Sequence, residues 1–134
     1  RVDRRQRQMC IRDRYYIQYS YARTQSVLDK TNKIIDTQVL VTSELKNLYK
    51  KLLEWEIIIK SAYQKKEVHL IAHYLESLSS YFHTLWSSSK NNPKAKFLDN
   101  DNNIPSDLHN LLSSYQDVLK DGLKILGIKP KLQM

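Results

Sequence analysis

Apolar residues recur every three or four positions along most of the chain, which is the spacing of one face of an α-helix. The clearest repeat lies in VHLIAHYLESLSSYFHTLWSS, residues 68–88, and a second lies in residues 108–126. A third begins after Ser43, a predicted N-cap, and continues to about Tyr63 with a bend near Trp55. The apolar positions of these segments are Leu45, Leu48, Leu52, Leu53, Ile71, Leu75, Leu78, Phe82, Leu85, Leu108, Leu111, Leu112, Tyr115, Leu119, Leu123 and Leu126.

The segment from Tyr15 to Leu28 is also predicted to be helical, but it has no single apolar stripe. Aromatic side chains cover much of its circumference, as expected of a helix wedged between neighbours or against a ligand. A connector, DKTNKIIDTQVLVT, follows this helix. Its apolar residues, which we expect to pack as an extended crossover, are Ile34, Ile35, Val39 and Val41.

The 134-residue chain has only two glycines and three prolines, the residues that most often form turns and end helices. This composition favours long helices. Residues 88–104 form one polar loop, and Pro105 opens the last helix at its first position. Gly127 is predicted to be the C′ residue of that helix, and Pro130 blocks any continuation. No segment alternates as a strand would. We therefore predict a single all-α domain, a bundle of four or five helices.

The formal charge of +8 comes in two equal parts. Residues 1–14, RVDRRQRQMCIRDR, hold six arginines and two aspartates, whereas fifteen of the sixteen basic residues after them are lysines. RQRQMCIRD is similar to a translated sequencing-adapter peptide found in assembled environmental sequences. We expect residues 1–14 to be a non-native leader and residues 15–134 to be the domain. That domain is moderately basic, which is compatible with nucleic acid but not diagnostic of it.

The single cysteine, Cys10, excludes a disulfide framework and a thiolate metal cage. We therefore expect a reducing, cytoplasmic compartment. The apolar runs are far shorter than a transmembrane span, and no apolar stretch follows the basic N-terminus as in a signal peptide. We expect no membrane partner.

His69 and His73 stand four residues apart, the spacing of a two-histidine metal site, with Glu76 as the nearest third ligand. The favoured interpretation is that both are polar positions of an amphipathic helix, since no HExxH motif occurs. Motifs of the types GxxxxGK[ST], GxGxxG and GxSxG are also missing from the sequence. We expect no catalytic residue, no metal and no bound cofactor in this chain.

Arg23 is the only arginine after position 14, and it stands among tyrosines in IQYSYARTQSV. Tyr16, Tyr19 and Tyr21 would offer flat faces within two helical turns, and unpaired RNA bases stack on aromatic rings and guanidinium planes. Lysine has neither the plane nor the forked donors. In the alternative interpretation, Arg23 pairs with a carboxylate between two helices and the tyrosines belong to the core. Composition alone favours that alternative.

Three motifs resemble one family in order and spacing. YYIQYSYARTQSV is similar to F-Y-V-Q-Y-A-H-A-R-x-x-S-[IV], VHLIAHYLESLSSYFH to P-H-R-[LI]-A-x-Y-L-x-E-L-x-x-x-F-H, and VLKDGLKILGI to V-L-x-N-G-L-x-L-L-G-[IV]. These motifs are those of the C-terminal DALR anticodon-binding domain of arginyl-tRNA synthetase. The resemblance covers residues 15–134 and implies the helical bundle of that domain, in a monomer.

The sequence departs from the family pattern at several positions. Val68, His69 and Leu70 stand where the family has Pro-His-Arg, and Leu108 aligns with the arginine that opens the family's last helix. Ser77 aligns with the acidic residue of the family's Y-L-x-E-L motif. The proline of the C-terminal tail stands at a different position from the proline of the family pattern. Because two arginines are missing, Arg23 would carry more of the recognition than in a typical member.

The resemblance implies recognition of tRNA(Arg), with the unstacked anticodon bases held against the first helix and the C-terminal tail. Tyr21 and Arg23 would contact bases, with Gln18 as a helper and Met134 as an apolar contact. Ser26 is a further candidate, and the phosphate contacts would be Lys30, Lys33, Lys129 and Lys131. Aminoacylation, with its ATP and Mg, belongs to the family's catalytic domain, whose HIGH- and KMSKS-type signatures do not occur here.

Two other interpretations stay open. The chain could be a stand-alone helical tRNA-binding or regulatory module that borrowed this domain and has no ligase activity. A weaker interpretation is a purely structural helical scaffold.

Overall fold

The computed structural model describes residues 4–92 and 96–130, and side chains from residue 14 onward. In this part, five helices and two short strands form. They are α1 (Arg4–Lys30), β1 (Lys33–Ile35), α2 (Ser43–Leu53), α3 (Trp55–Lys65), α4 (His69–Asn91), β2 (Asn103–Pro105) and α5 (Ser106–Ile125). The predicted all-α bundle of four or five helices is therefore confirmed.

Helix α4 is the centre of the bundle and contacts all four other helices. Its apolar stripe is buried against the stripe of α5, where Gly122 allows a close approach to Leu75. A Cβ atom at position 122 would lie only 2.7 Å from Leu75 Cδ1, and Leu75 is fully buried. The largest fully buried side chains among the described residues are Tyr115 and Phe82, whose rings stack with centroids 4.8 Å apart.

Helix α1 packs on α4 and α5 through small polar side chains as well as apolar ones. The Tyr115 hydroxyl donates to Ser20 Oγ at 2.7 Å, and Ser20 Oγ donates to the carbonyl oxygen of Ile17 at 2.8 Å. Thr24 is also fully buried and donates to the Ser20 carbonyl oxygen at 2.9 Å. Because each buried hydroxyl has a partner, this interface needs no continuous apolar stripe.

Several helix ends differ from the prediction by a few residues. The N-cap of α2 is Thr42, not Ser43, because the Thr42 hydroxyl accepts the Leu45 N–H at 3.2 Å. Pro105 is the N-cap of α5 rather than its first residue. The expected bend near Trp55 is confirmed as a break between α2 and α3 at Glu54.

Other helix bounds also lie away from the predicted ones. α3 runs to Lys65, two residues past Tyr63, and Lys66 ends it in the left-handed conformation. α1 begins at Arg4, well before Tyr15, so its backbone runs through the segment expected to be a leader; this leaves the origin of residues 1–14 untested. Gly127 is the C′ residue, as predicted, with φ 75°.

The expectation of no strand is wrong. β1 and β2 form a parallel pair, with Ile34 opposite Ile104. Three-residue strands are too short to show an alternating pattern, and their pairing joins residues about 70 positions apart, which no local signal encodes. In the connector, Ile35 and Val39 are half-buried, whereas Ile34 and Val41 are exposed, so only part of the expected crossover packs.

Candidate nucleic-acid interface

One side of α1 carries a row of aromatic and cationic side chains. Tyr15, Tyr19 and Arg23 stand four residues apart, which places them one above the other on the helix. The rings of Tyr15 and Tyr19 are stacked, with centroids 6.2 Å apart and planes 15° apart. Tyr16 meets Tyr15 edge-on, with centroids 5.9 Å apart. Tyr15 and Tyr16 are exposed, while Tyr19 and Arg23 are half-buried.

Helix α4 adds a second row beside the first. The His83 ring stacks on Tyr19 with centroids 5.8 Å apart and meets Tyr16 edge-on. Three residues further along, the Trp86 ring lies 5.6 Å from the Lys90 ammonium nitrogen. We call the combined surface the aromatic–cation ladder; its residues are Tyr15, Tyr16, Tyr19, Arg23, His83, Trp86 and Lys90.

Arg23 joins the two rows of the ladder. Its Cζ atom lies 4.7 Å from the centroid of Tyr19 and 4.9 Å from that of Trp86, and Nη2 donates to the Tyr19 hydroxyl. Cation–π contacts that are partly desolvated contribute about 1–2 kcal/mol. Among the described residues, no carboxylate pairs with Arg23. In this part of the chain, the alternative in which Arg23 forms an ion pair between helices is therefore wrong, and its charge is not neutralised.

His83 contributes an aromatic surface rather than a second charge. Burial lowers the pKa of the imidazole, and the nearby Arg23 cation lowers it further. The hydrogen bond to the Tyr16 carbonyl oxygen, at 3.3 Å from Nε2, opposes this shift only in part. At neutral pH the ring is therefore uncharged, stacked on Tyr19 and edge-on to Tyr16.

Tyr21, expected to offer a face to a base, is only 6% exposed and belongs to the core. Burial raises the pKa of its hydroxyl, and the charge of Asp117 raises it further. The ring presents no free face, so the expectation of an available stacking surface at Tyr21 is wrong. The tyrosines of α1 divide by helix face: Tyr21 faces the interior, and Tyr19 faces the ladder.

Gln18, expected to help in base contact, is 4% exposed and faces the C-terminal tail. Its Nε2 atom donates to the carbonyl oxygen of Lys129 at 3.2 Å. A second hydrogen bond holds the start of the tail against the end of α5: the Ile128 N–H donates to the Leu123 carbonyl oxygen at 2.8 Å. Since Gln18 lies one residue from Tyr19, this bond places Lys129 against the side of α1 that neighbours the ladder.

The remaining predicted contacts either are exposed or lie outside the described residues. Ser26 is exposed and follows Tyr19 by seven residues, so it lies on the same helix face. Lys30, Lys33 and Lys129 are exposed. The other two predicted contact residues, Lys131 and Met134, lie outside the described residues.

Four ladder residues were not among the sequence-derived candidates: Tyr15, His83, Trp86 and Lys90. A signal for three of them exists in the sequence, because His83, Trp86 and Lys90 recur at i, i+3 and i+7 and so share one face of α4. That face cannot be paired with α1 from the sequence alone, since the packing of α1 on α4 decides it.

The histidines expected to be polar surface positions are exposed. His69 lies 3.9 Å from Glu67 and His73 lies 3.8 Å from Glu76. Over the described residues, no cluster of three His, Cys, Asp or Glu side chains could hold a metal ion. In the same residues, no helix combines the length and apolar character needed to cross a membrane.

The family model of the DALR anticodon binding domain matches residues 17–134. The chain belongs to this family. The match covers all five helices apart from the first part of α1, so the resemblance drawn from the three motifs is confirmed. No solved structure matches the chain.

The relatives of this DALR domain include arginine–tRNA ligases. The ligase of Orientia tsutsugamushi (strain Boryong) is 35% identical over 128 residues, that of Pelagibacter ubique (strain HTCC1062) 32% over 127, and that of Roseobacter denitrificans 30% over 131. The matches cover 85%, 90% and 90% of this chain, but only 22%, 22% and 23% of those ligases. The chain therefore spans about a fifth of the length of the relatives it matches.

Two positions where the family motif has arginine are occupied by packing leucines in this DALR domain. Leu108 is buried in the core, and Leu70 is partly buried against it. The leucines thus add apolar contact where an arginine would place a charge. Arg23 remains the only arginine whose side chain the structure describes after position 14.

Proposed function

We propose that this DALR domain reads the anticodon of tRNA(Arg) as part of an arginine–tRNA ligase. Membership of an anticodon-binding family and the ligase relatives support this function. Aminoacylation, with its ATP and Mg, would belong to parts of the ligase outside this chain. We further propose that the protein acts as a monomer in the cytoplasm.

The observation that carries the proposal is Arg23 held between two rings of the aromatic–cation ladder, with no carboxylate partner in the described part of the chain. Single-stranded nucleic acid is bound by rings that stack on bases and cations that face phosphates, and the ladder combines both. A guanidinium held by two rings also keeps donors that can reach a base edge. A purely structural ring cluster needs no cation without a carboxylate partner.

The proposed contacts follow from exposure. Tyr15 and Tyr16 would stack on unpaired anticodon bases, because their rings are exposed. Tyr19 would support the Tyr15 ring, and Arg23 would bind a base edge. Gln18 would act indirectly, by holding the tail beside α1. The tail residues proposed from the family resemblance, Lys131 and Met134, remain proposals, as do Ser26 and the phosphate contacts of Lys30, Lys33 and Lys129.

Substitution of Arg23 tests the base-reading role. Arg23→Lys should weaken binding to tRNA(Arg) by about 1–3 kcal/mol, because lysine keeps the charge but loses the plane and the fork. The loss should be smaller for a transcript whose anticodon bases are changed. Titration of both transcripts with wild-type and variant chains, at fixed salt, measures the difference.

Lys129→Ala is the matched control, since it removes a charge proposed to contact phosphate. It should weaken binding to both transcripts alike and reduce the salt dependence. An equal loss for Arg23→Lys on the matched and changed anticodons would contradict base reading. No measurable binding of the wild-type chain to either transcript would contradict the proposed function itself.

A further inference from the structure

An apolar groove lies between the α1–α2 connector, α2 and α5. Its volume is about 540 Å³, and none of its lining residues belongs to α1 or α4, which build the ladder. The lining is mostly aliphatic, with only Lys46 and Asp107 charged. With a single cation, the groove is poorly suited to a phosphate backbone, whose binding depends on several.

Large apolar side chains on the groove wall are left in solvent. Tyr49 is 55% exposed and Leu53 is 62% exposed, and the two lie four residues apart on one face of α2. Ile57, in the first turn of α3 after the break at Glu54, is also exposed. Exposed apolar side chains on the wall of an apolar groove are typical of a site of contact with other protein.

The candidate occupant of the groove comes from the length of the relatives, because this chain matches only a small part of each ligase. In the Orientia ligase the matched segment is only 22% of the length, so almost four-fifths of that protein lies outside it. We propose that the groove is the docking surface for that remaining part of the ligase, which would insert an apolar helix or loop beside Tyr49 and Leu53. This inference rests on the proposed function, because it takes its occupant from a ligase of that length.

Docking at the groove would leave the ladder free. The two surfaces share no residue and lie on different helices, so the remaining ligase and an RNA could be bound at once. The groove would then fix the orientation of the ladder relative to the rest of the enzyme. Interfaces between domains of one chain are commonly of this modest, partly apolar kind.

The experiment compares hydrogen exchange of α2 and α5 in two settings. One is the isolated chain, and the other is the full-length Orientia ligase in which residues 15–134 of this chain replace the matched segment. Exchange in α2 and α5 should be about ten-fold slower in the full-length protein, because docking suppresses local opening. Tyr49→Lys and Leu53→Lys should restore the exchange rates of the isolated chain.

Tyr63→Lys is the matched control, since Tyr63 is 86% exposed and does not line the groove. It should leave the slowing intact. Equal exchange rates in the two settings, or an equal loss of slowing in Tyr63→Lys, would overturn the inference. Binding of tRNA(Arg) by the isolated chain should be unchanged in Tyr49→Lys, so a failure of tRNA binding and a failure of docking are separately visible.

A second measurement covers the case in which the grafted protein does not fold. The isolated chain is titrated with the remaining part of the Orientia ligase, and association is measured by sedimentation. Association that Tyr49→Lys weakens at least about ten-fold, and that Tyr63→Lys does not weaken, supports the inference. Absence of association with the wild-type chain overturns it.

Discussion

Phe82 and His83 are neighbours in the chain, but they belong to two regions that use aromatic rings differently. Phe82 stacks on Tyr115 at 4.8 Å, with both rings fully buried. His83 stacks on Tyr19 at 5.8 Å in the ladder, where both rings are half-buried and Arg23 lies over the Tyr19 ring. The core encloses its rings, whereas the ladder ends at the exposed Tyr15 and can be extended by another flat group. Core rings should thus determine stability, and ladder rings should determine binding.

The largest expected effect is that of Phe82→Ala on the free energy of unfolding. Removing this ring leaves a cavity between α4 and α5 and should cost about 3–5 kcal/mol. Urea denaturation followed by circular dichroism measures the change. A cost below about 1 kcal/mol would contradict the view of Phe82 and Tyr115 as the central stack.

Tyr19→Ala should affect tRNA binding more than the free energy of unfolding, the reverse of Phe82→Ala. Loss of the ring that holds Tyr15 and Arg23 in place should weaken tRNA(Arg) binding by about 1–3 kcal/mol, while the half-buried position limits the cost in unfolding to about 1 kcal/mol. Binding and denaturation are measured on the same variant. Tyr63→Ala, on the exposed surface of α3, is the control and should change neither quantity appreciably. If Tyr19→Ala unfolds the domain as Phe82→Ala does, the distinction between the two regions fails.

The difference between the regions explains which features could be predicted. The buried stripe of α4, including Leu75 and Leu78, follows from regular spacing, because a helix buries one face along its whole length. The end of α5 just before Gly127 follows from the glycine itself, because glycine readily adopts the positive φ that this C′ position has. These features depend on neighbouring residues in sequence, so the sequence suffices to predict them.

The ladder depends on tertiary packing and was predicted only in part. Tyr19 and Tyr21 are the same residue type two positions apart, yet only the packing of α1 on α4 and α5 decides which ring faces inward. Gln18 likewise matched the family motif, while its partner is a backbone carbonyl 111 residues away. Arg23 was recognised because its residue type is unusual in a lysine-rich domain, which needs no structural information.

The smallest expected effect is the dependence of stability on pH that comes from His83. Burial, with help from Arg23, lowers its pKa below the ordinary value of 6.5, so the folded state binds fewer protons than the unfolded state just below that pH. The contribution of His83 to stability should thus be complete above pH 6.5 and lost as the pH falls through its lowered pKa. No such dependence is expected from the core stack, whose Tyr115 hydroxyl has its pKa raised far from this range by burial.

His83→Gln isolates this effect, because His69, His73 and His109 are kept in both proteins. The free energy of unfolding is measured between pH 5 and pH 8 for the wild-type chain and the variant, and their difference should shrink as the pH is lowered. The facing groups are the Tyr16 carbonyl oxygen, the rings of Tyr16, Tyr19 and Phe82, and the Arg23 cation. A difference that is constant over this range would mean that His83 titrates as an ordinary exposed histidine. The ladder would then be open to water at its centre, and the burial of the His83 ring against Tyr16 and Tyr19 would be contradicted.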